Sequence, residues 1–178
     1  MPYTMHHRCH RRMNPVACMK PFKIPESVLV VIYTPALDVL LIERADAGNF
    51  WQSVTGSKDQ LDEPLAETAA REVFEETGIR VANGTVVPET ALTDWHHQIQ
   101  YNIYPRWAHR YAPGVTRNTE HWFGLCVPEN TVVTLSPREH VDHVWLPWEQ
   151  AAARCFSPSN GDAIRQLPQR VRQRSVSS

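Results

Sequence analysis

The sequence predicts an α/β domain, with a mixed central sheet sandwiched between helices, and three observations lead there. The run Val28-Leu29-Val30-Val31-Ile32-Tyr33 is β-branched and apolar on both of its faces, which suits a strand covered on both sides. Residues 64–77 carry a helical pattern bounded by Pro64 and Gly78. Further strand-like and helix-like segments intermix without the regular alternation that builds a wholly parallel sheet.

Thr34-Pro35 ends the first strand, and Val39-Leu40-Leu41-Ile42 forms its neighbour across a Pro-Ala-Leu-Asp link short enough for a hairpin. Residues 50–55 make another strand that stops at Gly56. In the helix, Pro64 suits the first turn, Asp62 or Glu63 can cap it, and Gly78 stands where a left-handed residue closes a helix. Alternation in Ile99, Tyr101 and Ile103 predicts a strand; residues 122–127 and 141–146 read as strands and residues 148–154 and 161–167 as helices. No internal repeat occurs, and 178 residues suit one core. That core is expected over residues 22–170, between a basic disordered extension (1–21) and a flexible tail (171–178).

A formal net charge of -1 argues against a nucleic-acid partner, so any anion site must be local. Cys9, Cys18, Cys126 and Cys155 show no C-x-x-C pair or repeated spacing, which suits reduced thiols in a cytoplasm better than a disulfide framework or a zinc site. No apolar run approaches the roughly 18 residues that span a bilayer, so no membrane partner is expected. The sequence carries no signal for an oligomeric state.

At about 100° per residue from Leu65, Ala69, Val73, Ala66, Ala70 and Phe74 fall at about 40°, 80°, 100°, 140° and 180°, a broad stripe expected to face the core. Glu75, Glu72 and Glu76 fall at about 280°, 340° and 20°, so three carboxylates share one sector beside that stripe. Like charges at these spacings weaken an isolated helix. Hard oxygen ligands converging from one rigid face suit Mg²⁺, which takes its remaining ligands from water and substrate phosphates. Arg71, one turn before Glu75, can hold that carboxylate by a charge-assisted bond.

Gly56, Glu63, Arg71-Glu72-Val73, Glu75-Glu76 and Gly78-Ile79 resemble the Nudix box, G-x5-E-x7-R-E-U-x-E-E-x-G-U, with U a bulky aliphatic residue. Six residues, Ser57 to Asp62, separate Gly56 from Glu63 where the family has five; Glu63 keeps Arg71 in register and is taken as the box residue. The resemblance implies a Nudix-type α/β/α sandwich and a diphosphate-cleaving hydrolase that uses Mg²⁺, with Mn²⁺ as a substitute. It makes Glu72 and Glu76 the principal metal ligands, with Glu75 assisting catalysis. Glu139, after Ser136-Pro137-Arg138, is the candidate for the carboxylate outside the helix that completes such sites as ligand or base.

Residues 50–57 (Phe-Trp-Gln-Ser-Val-Thr-Gly-Ser) and 109–120 (His-Arg-Tyr-Ala-Pro-Gly-Val-Thr-Arg-Asn-Thr-Glu) further resemble the bacterial dihydroneopterin triphosphate diphosphatases, a likeness running from about Phe22 to about Leu167. It implies hydrolysis of 7,8-dihydroneopterin triphosphate to the monophosphate and diphosphate, a step of folate biosynthesis. A pterin needs a flat slot with a polar edge. Trp51, Tyr101 and Tyr104 offer stacking faces and Asn102 a polar edge, with Ile103 between them. Lys23, Arg44, Arg110 and Arg117 are candidates to meet the triphosphate; of these Lys23 and Arg44 are placed closest to the family-like segments, with Thr55 and Ser157. Arg117 could instead pair with Glu120 or Glu139. Two other readings stay open: a Nudix hydrolase of (deoxy)nucleoside triphosphates or dinucleoside polyphosphates, and a non-catalytic Nudix-fold binding module.

Overall fold

The computed structural model describes residues 21–176, so most of the expected basic extension lies outside the described residues. Seven strands form one mixed sheet: β1 (Glu26–Tyr33), β2 (Asp38–Arg44), β3 (Trp51–Gln52), β4 (Val54–Ser57), β5 (Leu92–Asn102), β6 (Arg117–Cys126) and β7 (His140–Pro147). The helices are α1 (Leu65–Thr77), α2 (Trp148–Arg154) and α3 (Pro158–Val176). The strand order is β3-β2-β1-β6-β5, with β4 on β1 and β7 on β2. Only the β1–β6 pair is parallel; the other pairs named here run antiparallel.

The two-sided apolar character of β1 and β2 is explained by what covers them. On one face Val28, Val30, Ile32, Leu40 and Ile42 pack with Ala69 and Val73 of α1. On the other, Leu29, Val31, Val39 and Leu41 pack with Ala151 of α2 and Ala163, Ile164 and Leu167 of α3. Each such side chain removed from water contributes about 1.5–3 kcal/mol, and none could slip by one residue without reversing both layers.

The expected strand over residues 50–55 is broken at Ser53, whose N–H donates to Asn160 Oδ1 (2.7 Å) instead of to the sheet. The strand containing Ile99 begins earlier, at Leu92, and leaves Ile103 and Tyr104 beyond its end. The tail expected over 171–178 is corrected through Val176, because α3 runs that far. Pro168 removes one backbone donor from this helix, but Val171 packs on the apolar layer and Arg170 and Arg174 donate to the carbonyls of Trp95 and Thr90. No described helix is long and apolar enough to cross a membrane.

The α1 wheel needs two corrections. Its first turn has no side-chain cap: Glu63 accepts from the Asp59 N–H (2.7 Å) and from Arg71. Its buried face, Thr68, Ala69, Val73, Glu76 and Thr77, is rotated towards the glutamates, leaving Ala66 exposed and Phe74 43 % exposed beneath the Arg80 guanidinium. The β1–β4 surface receives the helix on the side that carries Glu76. Gly78, at φ 71°, closes α1 by donating to the Phe74 carbonyl.

Candidate active site

Arg71 organises the acidic face of α1. Its Nε donates to Glu63 Oε1 (2.9 Å), Nη1 to Glu72 Oε1 (2.8 Å) and Glu75 Oε2 (3.3 Å), and Nη2 to the Ser57 carbonyl (2.9 Å). One planar guanidinium thus ties the helix to the loop after β4, and Glu63 occupies the position expected of it despite the extra loop residue. Gly56 is required where it stands, since a Cβ there would fall inside the Glu72 carboxyl group.

Glu76 is 5 % exposed and accepts from the Thr55 N–H (3.3 Å). Its Oε1 lies 3.3 Å from His140 Nε2, yet neither ring nitrogen of the buried His140 completes a hydrogen bond. Glu76, Glu139 and His140 each bring a ligand atom within 4.8 Å of the others. The turn before β7 delivers the last two: Ser136 N–H donates to the Glu76 carbonyl, and Ala45 N–H after β2 donates to the Glu139 carbonyl. Burial and the nearby Glu76 charge push the Glu72 carboxyl up to about 8, against the pull of Arg71. Burial raises the Glu76 carboxyl as well, against His140. Carboxylates crowded this way into low dielectric, beside orphaned imidazole nitrogens, are the donor set a hard divalent cation satisfies.

Of the expected Glu72, Glu76 and Glu139, the structure groups Glu76 and Glu139 with His140; Glu72 lies outside that group, held by Arg71 though close enough for the Glu76 charge to be felt, and Glu75 is half-exposed. His140 was missed by sequence reasoning. Its only local signal is adjacency to Glu139, and its burial against Glu76 comes from β2–β7 pairing.

Next to this cluster, Arg44 pairs with both Asp46 oxygens (2.8 Å each) and lies over the Trp107 ring. The segment Pro105–Arg110, a 3₁₀ helix, adds Arg110 at 3.6 Å from Asp46 Oδ2 and Arg106, which donates to the Asp46 carbonyl. The Arg44 hydrogen bond holds the Asp46 carboxyl below its ordinary value, and three guanidiniums share that single carboxylate. Surplus positive charge thus sits one strand pair from Glu139, while the whole chain is near neutral. Lys23 is exposed and joins Arg110 through its backbone N–H (2.8 Å).

The aromatic expectation is corrected in part. Trp51 is 5 % exposed, with the Arg154 guanidinium over its ring, so it fills the core and offers no open face. Phe50 stacks on Phe156 at 3.5 Å, and Tyr104 meets Phe156 and Trp107 edge-on or tilted; these rings make the accessible cluster. Tyr101 is half-buried and accepts from Asn118 Nδ2 (3.2 Å), Asn102 is exposed, and the Ile103 N–H donates to the Thr116 carbonyl. Ser157 Oγ bonds Ser159 Oγ (3.2 Å) and Asn160 (3.0 Å). Arg117 makes no ion pair with Glu120 or Glu139 among the described residues: along β6 it alternates to the face opposite Glu120, which accepts from Trp122 Nε1.

The NUDIX domain profile matches residues 23–167. The chain belongs to this family. Within it, "dihydroneopterin triphosphate diphosphatase" of Escherichia coli K12 is 43 % identical over 149 residues, 83 % of this chain and 95 % of the relative. The Haemophilus influenzae protein of the same description is 38 % identical over 148 residues, 83 % of this chain and 89 % of its own. The solved E. coli dihydroneopterin triphosphate pyrophosphohydrolase superimposes with a TM-score of 0.73 at 42 % identity, covering 83 % of this chain and 97 % of that one. A Caenorhabditis elegans Ap4A hydrolase shares the fold at 19 % identity, with a TM-score of 0.60 over 83 % of this chain and 98 % of its own. The Arg71-centred array is the Nudix box of this chain, and the mixed sheet between helices is the Nudix fold.

Proposed function

We propose that this Nudix hydrolase cleaves 7,8-dihydroneopterin triphosphate to dihydroneopterin monophosphate and diphosphate, with Mg²⁺, as a cytoplasmic step of folate biosynthesis. The observation that carries the reading is the identity of 43 % to a relative of that activity across 95 % of the relative's length, which spans the box and the segments around it.

Glu72, Glu76 and Glu139 would hold the metal, with His140 beside them. A divalent cation bound there supplies neutralisation of phosphate charge and lowers the pKa of bound water. The chain's own groups do the rest. Arg71 keeps Glu72, Glu75 and Glu63 in place, and the Thr55 N–H orients Glu76. Glu75, a half-exposed carboxylate of α1, is available to take a proton from the attacking water. Arg44 and Lys23, with Arg110, face the departing diphosphate, and Thr55, Tyr101, Asn102, Ile103, Tyr104 and Ser157 border the pterin end. Arg44 must exchange Asp46 for phosphate oxygens, a replacement of one charge-assisted pair by another.

The test is a comparison of kcat/KM on dihydroneopterin triphosphate, dATP and a dinucleoside polyphosphate with Mg²⁺. Preference for the pterin substrate is expected. Preference for either nucleotide would replace this reading with another Nudix specificity, and ligand binding with no diphosphate released would make the domain a binding module.

A further inference from the structure

Glu120 is a carboxylic acid buried inside the layer between the sheet and α3, at 3 % exposure, and no basic side chain pairs with it among the described residues. Its one hydrogen bond with a stated geometry comes from Trp122 Nε1 (3.2 Å), and Ser159 lies beside it. Two neutral donors, the Trp122 indole and the Ser159 hydroxyl, are all that meet this buried carboxyl group, a costly arrangement for a group that serves packing alone.

Its surroundings are polar where the rest of the layer is apolar. Asn118, 1 % exposed, donates to Ser27 Oγ (2.6 Å) and Tyr101 Oη, while its own Oδ1 is unpartnered. Ser53, also 1 % exposed, leaves its Oγ unpartnered where its backbone meets Asn160. Two orphaned acceptors, beside a buried carboxyl group with no basic partner among the described residues, call for donors that the chain itself does not provide.

The sheet register relates this face to the acidic helix. Strand β4 pairs with β1 alone among the described residues, and its Thr55 N–H holds Glu76. Thr55 and Ser57 pair with Leu29 and Ser27, and those two pair with Trp122 and Glu120. Glu120 is therefore two strand spacings, about 10 Å, across from β4. That separation is of the order of a bicyclic base plus a short phosphoester arm.

We infer that Glu120 is a specificity-determining residue whose carboxylate accepts two parallel hydrogen bonds from the 2-amino group and adjacent ring N–H of a 2-amino-4-oxo heterocycle. Pterin and guanine both carry that edge; adenine and hypoxanthine lack the 2-amino donor. The inference rests on the proposed hydrolase reading and sharpens it to one edge of the base.

The wild-type enzyme and Glu120→Gln are assayed with Mg²⁺ on dihydroneopterin triphosphate, dGTP, dITP and dATP, with folding of the variant checked by thermal melting. In the wild type, kcat/KM for dGTP should exceed that for dITP by about tenfold or more. In Glu120→Gln, KM for the 2-amino substrates should rise by about tenfold or more with kcat little changed, dITP, which keeps only the ring N–H, should lose less, and dATP should be unaffected. Equal loss on all four substrates, or none, would overturn the assignment. If the variant does not fold, the wild-type dGTP to dITP ratio decides alone, and a ratio near one overturns it. The two sources of the edge are separated by the pterin and dGTP arms: inactivity on the pterin triphosphate would sink the proposed function while the guanine comparison still judges Glu120.

Discussion

The carboxyl group of Glu72 fills the space in which Gly56 lacks a side chain: a Cβ at Gly56 would overlap Glu72 Cδ and Oε1. The first and the central residues of the Nudix box are thereby one packing unit. We predict that Gly56→Ala forces Glu72 off Arg71, lowers kcat/KM by about tenfold or more and weakens Mg²⁺ binding. Stability should change by only about 1 kcal/mol or less, because the displaced group is the end of a flexible side chain. Calorimetric Mg²⁺ titration beside a urea melt checks this, and unchanged metal affinity in a folded variant would refute it.

Neutralising the proposed ligands should separate function from folding. Glu72→Gln and Glu76→Gln are each expected to lose about a hundredfold or more in kcat while remaining folded, since both substitutions remove a charge that burial disfavours. Near-normal turnover in the purified, folded variants with Mg²⁺ present would falsify the ligand assignment.

Metal-free stability should depend on pH in a particular direction. Glu72 is pushed up to about 8, Glu120 to about 7, and Glu76 is raised, each chiefly by burial, so the folded state binds these protons more tightly than the unfolded chain, where a glutamate titrates near about 4.3. Their contribution is fully present below the unfolded value and is lost as pH rises through the folded ones. In EDTA, Tm should therefore fall between about pH 5 and about pH 8, and added Mg²⁺ should restore more at the upper end. Asp46 and Glu63, which are held low, act in the opposite sense but only at more acidic pH. Thermal scans across that range decide, and a Tm in EDTA that climbs through the window contradicts the attribution.

Arg71 makes a fork that lysine cannot copy, reaching Glu63, Glu72, Glu75 and the Ser57 carbonyl at once. Arg71→Lys should cost about 1–3 kcal/mol of stability and lower kcat about tenfold or more. Wild-type values for both in chemical denaturation and steady-state kinetics would show that the fork is ornamental.

The position of bond cleavage follows from the proposed substrate placement, in which the pterin end would lie beyond β4 and the basic groups around Asp46 would face the distal phosphates. Attack at the α-phosphorus releases diphosphate, a far better leaving group than an alkoxide. Hydrolysis in ¹⁸O-labelled water should place the label in dihydroneopterin monophosphate. Label in diphosphate would mean attack at the β-phosphorus, and orthophosphate as the first product would mean a different phosphatase altogether.

The sequence by itself determined the parts that depend on local pattern. Helix α1 was legible from Pro64, its periodicity and Gly78, and the two-faced apolar runs of β1 and β2 required cover on both sides. The spacing of Arg71, Glu72, Glu75 and Glu76 carried the family, because an α-helix converts spacing directly into a shared face. The tertiary structure alone decided which way that face turns. Docking on β1 and β4 buried Glu76 and left Phe74 in solvent, the reverse of what hydrophobicity around the wheel predicts. It also decided that His140 and Glu139 reach Glu76, through the pairing of β7 with β2, and that Trp51 lies under Arg154 while Phe50 meets Phe156. Glu120, which the sequence offered only as the end of the 109–120 segment and a possible partner of Arg117, is buried by the packing of α3. Each of these outcomes joins residues far apart in the chain, and their energetics belong to the desolvated contact itself, which no local spacing encodes.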